Sequence, residues 1–209
     1  DGSNILFDRG GMELVCGRFK NTDWGRKEGE GIIAQAENIL KGDLTIPDGP
    51  GWARAYYYCQ EHRCALRYEG VDKHLCPVGG EYRDVDFDGV DLDRDYRAGE
   101  HNMVAGWTKT LAMAYGFTGD KRFSEAALNI LNQYRERYFT FDWLDLDVST
   151  ITIDKGRFHF AKYMESYGFR NMTEALVMLR LKGGVEDKEA QKIMSELLFP
   201  GLTEIADYR

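Results

Sequence analysis

The chain has 209 residues, of which 43% are hydrophobic and 30% charged, a composition typical of a globular protein. Its net charge of −8 argues against a broad nucleic-acid-binding face. No apolar run approaches the roughly 18 residues that a membrane span needs, so we expect neither nucleic acid nor membrane as a partner.

The first predicted elements are an irregular segment and one helix. Residues 1–22 show no clean period and are predicted to be irregular, whereas residues 23–209 are predicted to form one partial domain. Apolar residues from Trp24 to Leu40 recur near helical spacing, and Gly42 is a plausible stop. The chain begins "DGSNILFD", without an initiator Met or a signal-peptide pattern, so we expect a trimmed or internal start.

Residues 54–99 are predicted to form an insert with little helix. The stretches "ARAYYYCQ" and "CALRYEG" predict short strands, and the Gly- and Asp-rich "CPVGGEYRDVDFDGVDLDRDY" predicts a loop. Its aspartates could bind a hard cation, but their spacing does not match an EF-hand loop. We therefore expect a solvated acidic loop.

Helices are predicted to dominate the rest of the chain, over residues 100–117, 121–138, 159–181 and 188–207. Gly119 is predicted to take the left-handed position that ends the first of these helices, and Asp120 to cap the next. Asp187 is the predicted cap of the last helix, which is expected to bend near Pro200. Short connections make successive helices antiparallel, so the fold is predicted to be all-α dominated, an array of αα-hairpins. Such an array is a solenoid or a toroid, and we expect it to continue beyond Arg209.

Three of the four cysteines lie close together within the insert. Cys59, His62 and Cys76 have a spacing that suits a small structural zinc site, and Cys64 or His74 could supply a fourth ligand. A disulfide among these cysteines and free thiols are the two alternatives. A cysteine nucleophile is not expected, because nothing beside the cluster resembles a base with its orienting group.

These segments together resemble a known family. "DWGRKEGEGIIAQAENIL", "YYYCQEH", "HLCPVGGEY", "DYRAGEHNMVAGWTKTLAMAYGFTGDKRFSEAALNILNQYRERY" and "KGRFHF" follow one another as in the N-terminal half of the catalytic toroid of heparinase II/III-like polysaccharide lyases. This group includes alginate and oligoalginate lyases. The resemblance spans about residues 20–209 and is most specific from Tyr96 to Tyr138. Gly79 departs from it, because a second cysteine there would complete the common Cys-Pro-x-Cys-Gly form.

The resemblance implies an incomplete (α/α) toroid that acts as part of a carbon–oxygen lyase. Such enzymes cleave glycosaminoglycans, such as heparin or heparan sulfate, or alginate by β-elimination, without a catalytic cofactor. A Tyr or His removes the proton at C5, and neighbouring side chains neutralise the uronate carboxylate. In the family these groups lie mostly in the second half of the toroid, so the catalytic residues are expected beyond Arg209. The rest of the same enzyme and an anionic polysaccharide or oligosaccharide are the expected partners, at a secreted or periplasmic location of bacterial type.

Several residues near predicted helix starts and in the loop 140–157 are candidates for substrate binding, because basic groups hold carboxylates and loop aromatics stack on sugars. They are Arg97, Glu100, His101, Asn102, Trp143, Arg157, Tyr163 and Glu165. Within this chain His159 is the candidate acid or base, although a structural role would also explain it. Two other functions stay open. One is a toroid glycoside hydrolase, which needs two facing carboxylates such as those of Glu100 and Glu165, and the other is a non-catalytic helical-repeat scaffold.

Overall fold

The computed structural model of the chain describes residues 9–52, 57–85, 89–142, 156–159 and 162–207. Helices dominate these residues, which confirms the predicted all-α-dominated class. The helices are α1 (Arg9–Asn21), α2 (Asp23–Ile39), α3 (Leu92–Thr118), α4 (Lys121–Arg137), α5 (Lys162–Lys182), α6 (Asp187–Ile193) and α7 (Phe199–Ala206). A 3-10 turn follows α4, and a π-helical segment joins α6 to α7.

Helix α1 lies where the sequence predicts an irregular segment, so that prediction is wrong for residues 9–21. Met12 and Cys16 are one helical turn apart, and both are buried in the main core. Phe19 stacks on Phe117 of α3, with ring centroids 4.8 Å apart. The helix is therefore stabilised by tertiary packing of one narrow apolar stripe, a signal that is weak in a short window of sequence.

Helix α2 begins at Asp23, as predicted, and Thr22 forms its N-terminal cap. The Thr22 hydroxyl accepts a hydrogen bond from the backbone N–H of Gly25 at 3.1 Å. Gly29 lies directly against the ring of Phe19, where a β-carbon would overlap the ring atoms. This close approach lets α1 and α2 pack together across a one-residue connection.

Helix α3 begins at Leu92, well before its predicted start at Glu100, so the Asp-rich segment is not loop throughout. The Asp91 side chain caps the helix by accepting a hydrogen bond from the N–H of Asp93 at 2.7 Å. Asp93 and Asp95 lie in the first turn, where carboxylates interact favourably with the positive end of the helix dipole. These aspartates are therefore a helix start signal, whereas the sequence analysis interprets them as a solvated loop.

The turn between α3 and α4 has the predicted geometry. Gly119 has a φ of 75°, the left-handed conformation that glycine adopts without steric cost, and its N–H bonds to the carbonyl of Tyr115. The Asp120 carboxylate accepts a hydrogen bond from the N–H of Arg122 at 3.0 Å. Both predictions are confirmed, and α3 and α4 form an antiparallel hairpin.

The main core lies where α3, α4 and α5 meet. Helix α3 packs extensively on both α4 and α5, and α4 also contacts α6 and the π-helical segment. Gly168 of α5 lies against Ala105 of α3 and the ring of Phe158, so small residues bring the two helices close together. Leu111 and Met172 are fully buried in this core. Helices α3, α4 and α5 thus pack together through their apolar faces.

The last helical stretch differs from its prediction at its start. Asp187 is the first residue of α6 and not its cap, and its carboxylate accepts a hydrogen bond from Arg180 at 2.9 Å. The π-helical segment Met194–Leu198 precedes Pro200, which lies in the first turn of α7. Proline is tolerated in a first helical turn, so the helical path continues past it.

The insert contains two small antiparallel sheets, after which the chain leads into the start of α3. The strands are β1 (Tyr58–Cys59), β2 (Cys64–Ala65), β3 (Arg67–Gly70), β4 (Lys73–Leu75) and β5 (Tyr82–Arg83). Strand β1 pairs with β2, and β4 lies between β3 and β5. The predicted strands are thus confirmed as short ones. A second, small core of Tyr57, Cys59, Leu66, Cys76 and Leu92 holds them to α3.

Candidate functional site

Helices α3 and α5 together present a surface that is polar and aromatic. On α5, the residues of this surface recur every three or four positions, so they lie on one side of the helix. Tyr163 and Tyr167 are exposed aromatic residues of this surface, with 59% and 54% of their surface accessible. We call this surface the α3/α5 face, and it comprises Asn102, Gly106, Lys109, Tyr163, Tyr167, Arg170 and Glu174.

Contacts across the α3/α5 face hold its charged groups in place. The Lys109 ammonium forms an ion pair with the carboxylate of Glu174, and Arg170 donates a hydrogen bond to the same carboxylate at 3.1 Å. The side-chain oxygen of Asn102 is buried, and it has no hydrogen-bond partner among the described residues. Exposed phenol rings can stack on sugar rings, while amide and cationic groups can bind hydroxyl and carboxylate oxygens.

Arg97 and Glu100 lie inside α3 and not at a helix start, which corrects the predicted position of both. Each is half-buried. The Arg97 Nε–H donates a hydrogen bond to the carbonyl oxygen of Pro50 at 3.0 Å, and so ties α3 to the turn that follows α2. This contact gives Arg97 a structural role in addition to the predicted one.

His101 is fully buried within α3, so it is neither at a helix start nor at a surface that a polysaccharide could reach. Its Nε2 lies 3.0 Å from the carbonyl oxygen of Gly49, which can only accept, so this nitrogen carries the proton. Its Nδ1 then accepts a hydrogen bond from the Tyr134 hydroxyl at 3.1 Å. Burial lowers the pKa of His101 to about 3. A neutral, internally bonded imidazole indicates a structural role, contrary to the prediction of substrate contact.

Arg157, His159 and Glu165 meet where residues 156–159 pack on the start of α5. The buried Glu165 carboxylate accepts hydrogen bonds from the backbone N–H groups of Arg157 and Phe158, each at 3.1 Å from Oε1. Burial raises the pKa of Glu165 to about 7. The Arg157 guanidinium forms a two-point ion pair with Glu204 of α7, at 2.8 and 3.1 Å. This network joins three segments of the fold.

The network accounts for Arg157 and Glu165 without any ligand. Its neighbour His159 is 2% exposed, and burial lowers its pKa to about 4, so the imidazole is neutral near pH 7. None of the three side chains is open to a polymer in this arrangement. The predicted substrate contacts of Arg157 and Glu165, and the predicted acid–base role of His159, are therefore not supported by where these side chains lie.

Tyr163 and Asn102 are the predicted substrate-binding residues that belong to the α3/α5 face. Trp143 lies outside the described residues. Tyr167 and Arg170 were not among the predicted residues, although their spacing from Tyr163 places all three on one side of a helix. What it could not show was that this side of α5 is exposed, because α5 packs on α3 through its other positions.

Two cysteines and a histidine of the insert converge on one point. Cys59 ends β1, His62 lies in the turn to β2, and Cys76 follows β4. The Nδ1 atom of His62 lies 3.6 Å from the sulfur of Cys59 and 3.4 Å from that of Cys76. A backbone hydrogen bond from His62 lowers the pKa of Cys59 to about 6. The predicted set Cys59, His62 and Cys76 is thus brought together, with its ligand atoms all within 4.8 Å of one another.

The fold distinguishes the two residues predicted as a possible fourth ligand. The sulfur of Cys64 lies 3.8 Å from that of Cys76, at the edge of the cluster. His74 is instead engaged through both ring nitrogens, since Nδ1 lies 3.0 Å from the Tyr57 hydroxyl and Nε2 lies 3.3 Å from Asp93. Cys64 is therefore the better placed of the two.

A polar chain of Tyr57, His74 and Asp93 joins the sheets to α3, and the sequence analysis missed it. His74 is 1% exposed, and desolvation lowers its pKa despite the neighbouring Asp93. Asp93 also accepts a hydrogen bond from the N–H of Asp72 at 3.1 Å, while Asp91 caps α3. These carboxylates are already used within the fold, so the polar chain indicates an anchor for the insert. No local spacing could have revealed it, because the three residues come from separate elements.

No protein-family model matches this chain, and no curated protein is similar enough in sequence to count as a relative. A groove of about 870 Å³ between α5 and α6 includes Val177, Arg180 and Lys188 in its lining, but none of the candidate residues lines it. Within the described ranges, no helix combines the length and apolar character that crossing a membrane requires. The arguments for function therefore rest on the chain's own residues.

Proposed function

We propose that this chain is part of a polysaccharide lyase that cleaves a uronic-acid-containing polysaccharide, a glycosaminoglycan or alginate, by β-elimination. The observation that carries the proposal is the α3/α5 face, where two exposed tyrosines lie one turn apart on α5 and Arg170 lies three residues further along the same helix. Tyr163 and Tyr167 provide flat, amphipathic rings for stacking on sugars. The Arg170 side chain is 63% exposed and provides positive charge for carboxylate groups, in a protein whose net charge is negative.

The helical architecture supports the same proposal. The segment with the most specific resemblance, residues 96–138, forms the hairpin of α3 and α4. This hairpin packs against α5, whose own partner stretch is α6 to α7. Side-by-side αα-hairpins of this kind are the units from which an (α/α) toroid is built. We infer that the α3/α5 face lines the substrate cleft of such a toroid.

The described residues are assigned to substrate binding and not to proton transfer. In β-elimination a base removes the C5 proton, the C4–O bond breaks, and an acid protonates the leaving oxygen. His101, His159 and Glu165 are buried and hydrogen-bonded or packed within the core, so they support the fold. The chain's role in the reaction is then to bind the polymer and to neutralise part of its charge.

The position of Glu165 argues against the alternative of a glycoside hydrolase within this part of the chain. Hydrolysis needs two carboxyl groups that face each other across an open groove. Glu165 is only 1% exposed, and its oxygens bond to backbone N–H groups of residues 157 and 158. It therefore cannot form the required pair with Glu100 in this arrangement.

The proposal is tested by incubating the protein separately with alginate, heparin, heparan sulfate, chondroitin and hyaluronan. Elimination creates a double bond between C4 and C5 of the uronate, which absorbs in the ultraviolet, whereas hydrolysis does not. Binding of each polymer is measured in parallel by calorimetry. Release of new reducing ends without the ultraviolet signal would favour the hydrolase. Neither product nor binding with any of the polymers would contradict the proposal.

Matched variants connect the binding to the α3/α5 face. Tyr163→Ala and Tyr167→Ala should each weaken polymer binding about 2- to 12-fold, since a stacking contact contributes about 0.5 to 1.5 kcal/mol. Phe199→Ala is the control, because Phe199 is also exposed but lies on α7. If the double tyrosine variant binds as tightly as the unchanged protein, the face is not the binding surface.

A further inference from the structure

Three distances within the cysteine cluster match those of a tetrahedral zinc site. With Zn–S bonds of about 2.3 Å and Zn–N bonds of about 2.0–2.1 Å, neighbouring ligand atoms lie about 3.8 Å apart for two sulfurs and about 3.6 Å apart for sulfur and nitrogen. The Cys64 and Cys76 sulfurs are 3.8 Å apart. The Nδ1 atom of His62 lies 3.6 Å from the Cys59 sulfur and 3.4 Å from the Cys76 sulfur.

Hydrogen bonds between the thiols and His62 explain this arrangement less well than a shared metal ion does. In a neutral imidazole with its proton on Nε2, Nδ1 has a single lone pair, and this pair can accept one good hydrogen bond. Here two sulfurs from different elements approach the same nitrogen atom. A shared cation that accepts electron pairs from the two sulfurs and from Nδ1 of His62 explains the convergence, because each ligand then points to one central ion.

The backbone places all four ligands from three separate elements. Cys59 and Cys64 are directly opposite each other in the β1–β2 pair, with His62 in the turn between them. Cys76 comes from the end of β4, in the other sheet. Cys64 lies outside the group whose ligand atoms are all within 4.8 Å, but its sulfur lies 3.8 Å from that of Cys76, the distance expected between two sulfurs on one zinc ion.

The ring of His62 occupies the place of the cysteine that the sequence lacks at position 79. A β-carbon added to Gly79 would lie 2.6 Å from Cε1 of His62, so a side chain there and the His62 ring cannot occupy the same space. Gly79 instead donates its backbone N–H to the sulfur of Cys76 at 3.3 Å. The His62 ring therefore fills the space beside Gly79, next to the Cys76 sulfur.

The surroundings favour bound thiolates over an open, reactive site. Arg83 of β5 lies close enough to Cys59 for their charges to interact, so a cation lies near the excess negative charge that three thiolates and one zinc ion would carry. Cys59 and Cys76 are buried, and Cys64 and His62 are half-buried. With four protein ligands, no coordination position is left for a catalytic water.

We propose that Cys59, His62, Cys64 and Cys76 bind one zinc ion as a closed structural site. The ion would join the β1–β2 pair to β4, and so fix the insert against α3. The insert needs such support, because its strands are two to four residues long and its small core has five buried apolar residues among those that the structure describes. Metal binding of this kind supplies folding energy to segments that cannot bury enough apolar surface of their own. The proposal is independent of the proposed lyase function.

The test measures metal content and coordination in the full 209-residue chain. The protein is purified under reducing conditions, supplied with zinc alone, dialysed, and analysed by mass spectrometry of the metal. We expect one zinc ion per chain, X-ray absorption with three sulfur neighbours and one nitrogen, and thiolate-to-metal absorption bands after exchange for cobalt. A chain without zinc after this treatment, or with zinc bound only through oxygen and nitrogen, would overturn the proposal.

Variants identify the ligands. Cys59→Ser, His62→Ala, Cys64→Ser and Cys76→Ser should each lose stoichiometric zinc, whereas Cys16→Ser and His74→Asn should keep it. Retention of zinc by Cys64→Ser together with its loss in His74→Asn would refute the assignment of Cys64. Should a ligand variant fail to fold, the thiolate count from the cobalt spectrum of the unchanged protein still decides between two and three cysteine ligands. A mass lower by two hydrogens, without zinc, would show a disulfide and overturn the proposal.

Discussion

Replacing Glu165 by glutamine should change how the stability of this fold depends on pH. The Glu165 side chain is buried and accepts backbone hydrogen bonds from Arg157 and Phe158, and burial raises its pKa from an ordinary 4.5 to about 7. Between these two values the folded protein keeps a proton that the unfolded chain has released. The resulting stabilisation is fully present below about pH 4.5, and it is lost as the pH rises through about 7.

The magnitude follows from the two pKa values. Their difference of about 2.5 corresponds to about 3 kcal/mol, since one pKa unit is about 1.4 kcal/mol. The free energy of unfolding of the unchanged protein should therefore fall by about 3 kcal/mol relative to Glu165→Gln between about pH 4.5 and pH 8. Glutamine has no charge to bury, and its amide oxygen can keep the hydrogen bonds that Oε1 accepts.

Other titrating groups near Glu165 are the same in both proteins. Burial lowers the pKa of His159 and of His101, so each makes the fold more stable as the pH rises, which is the opposite sign. Arg157 and Glu204 also face this region, and the comparison of variants cancels their common contributions. The quantity to examine is therefore the difference in the free energy of unfolding between the two proteins at each pH.

The assay is unfolding by guanidinium chloride, followed by circular dichroism at a series of pH values. Glu136→Gln is the matched control, because the Glu136 side chain is 66% exposed and stays solvated in both states. This control should run parallel to the unchanged protein. Parallel curves for Glu165→Gln as well would refute the reasoning, since they would mean that Glu165 has the same pKa in the folded and unfolded states.

Three further substitutions test individual contacts. Arg157→Lys keeps the charge but loses the two-point pair with Glu204. It should therefore lower the free energy of unfolding in urea by about 2 kcal/mol. An unchanged value would show that the pair contributes nothing. Gly119→Ala places a β-carbon on a residue whose φ is 75°. The free energy of unfolding, measured by thermal unfolding, should therefore fall by about 1 kcal/mol. An unchanged value would contradict the predicted strain. Tyr134→Phe removes the hydroxyl bonded to buried His101 and should cost about 1–2 kcal/mol in urea, and an equally stable variant would show that His101 finds another partner.

The elements predicted correctly are those with local signals. Gly119 and Asp120 form their turn through the conformations and hydrogen bonds of adjacent residues, so their residue types were sufficient. The start of α3 was predicted too late, because aspartates favour both loops and helix N-termini. Only the buried environment of Leu92 distinguishes these possibilities.

In the candidate sites, too, some features follow from local sequence and others depend on tertiary contacts. Cys59, His62 and Cys76 were predicted as a group from their spacing, but the choice of Cys64 over His74 depends on strand register and on the contacts of His74 with Asp93. For substrate binding, residue types alone could not distinguish Tyr163, which is exposed, from His101, which is enclosed. Whether a side chain is exposed depends on which side of its helix packs against another element.

By itself the sequence determined that the chain is built mainly of helices, where one of their turns lies, and that a cysteine-rich insert interrupts them. These features follow from hydrophobic periodicity and from backbone preferences, which act over a few neighbouring residues. Only the tertiary structure decided that α1 is helical, that Glu165 is buried in a network with Arg157, and that Tyr163 and Tyr167 share an open face. These outcomes depend on contacts between residues far apart in the chain, since burial and the energy of a charge are set by what packs around them.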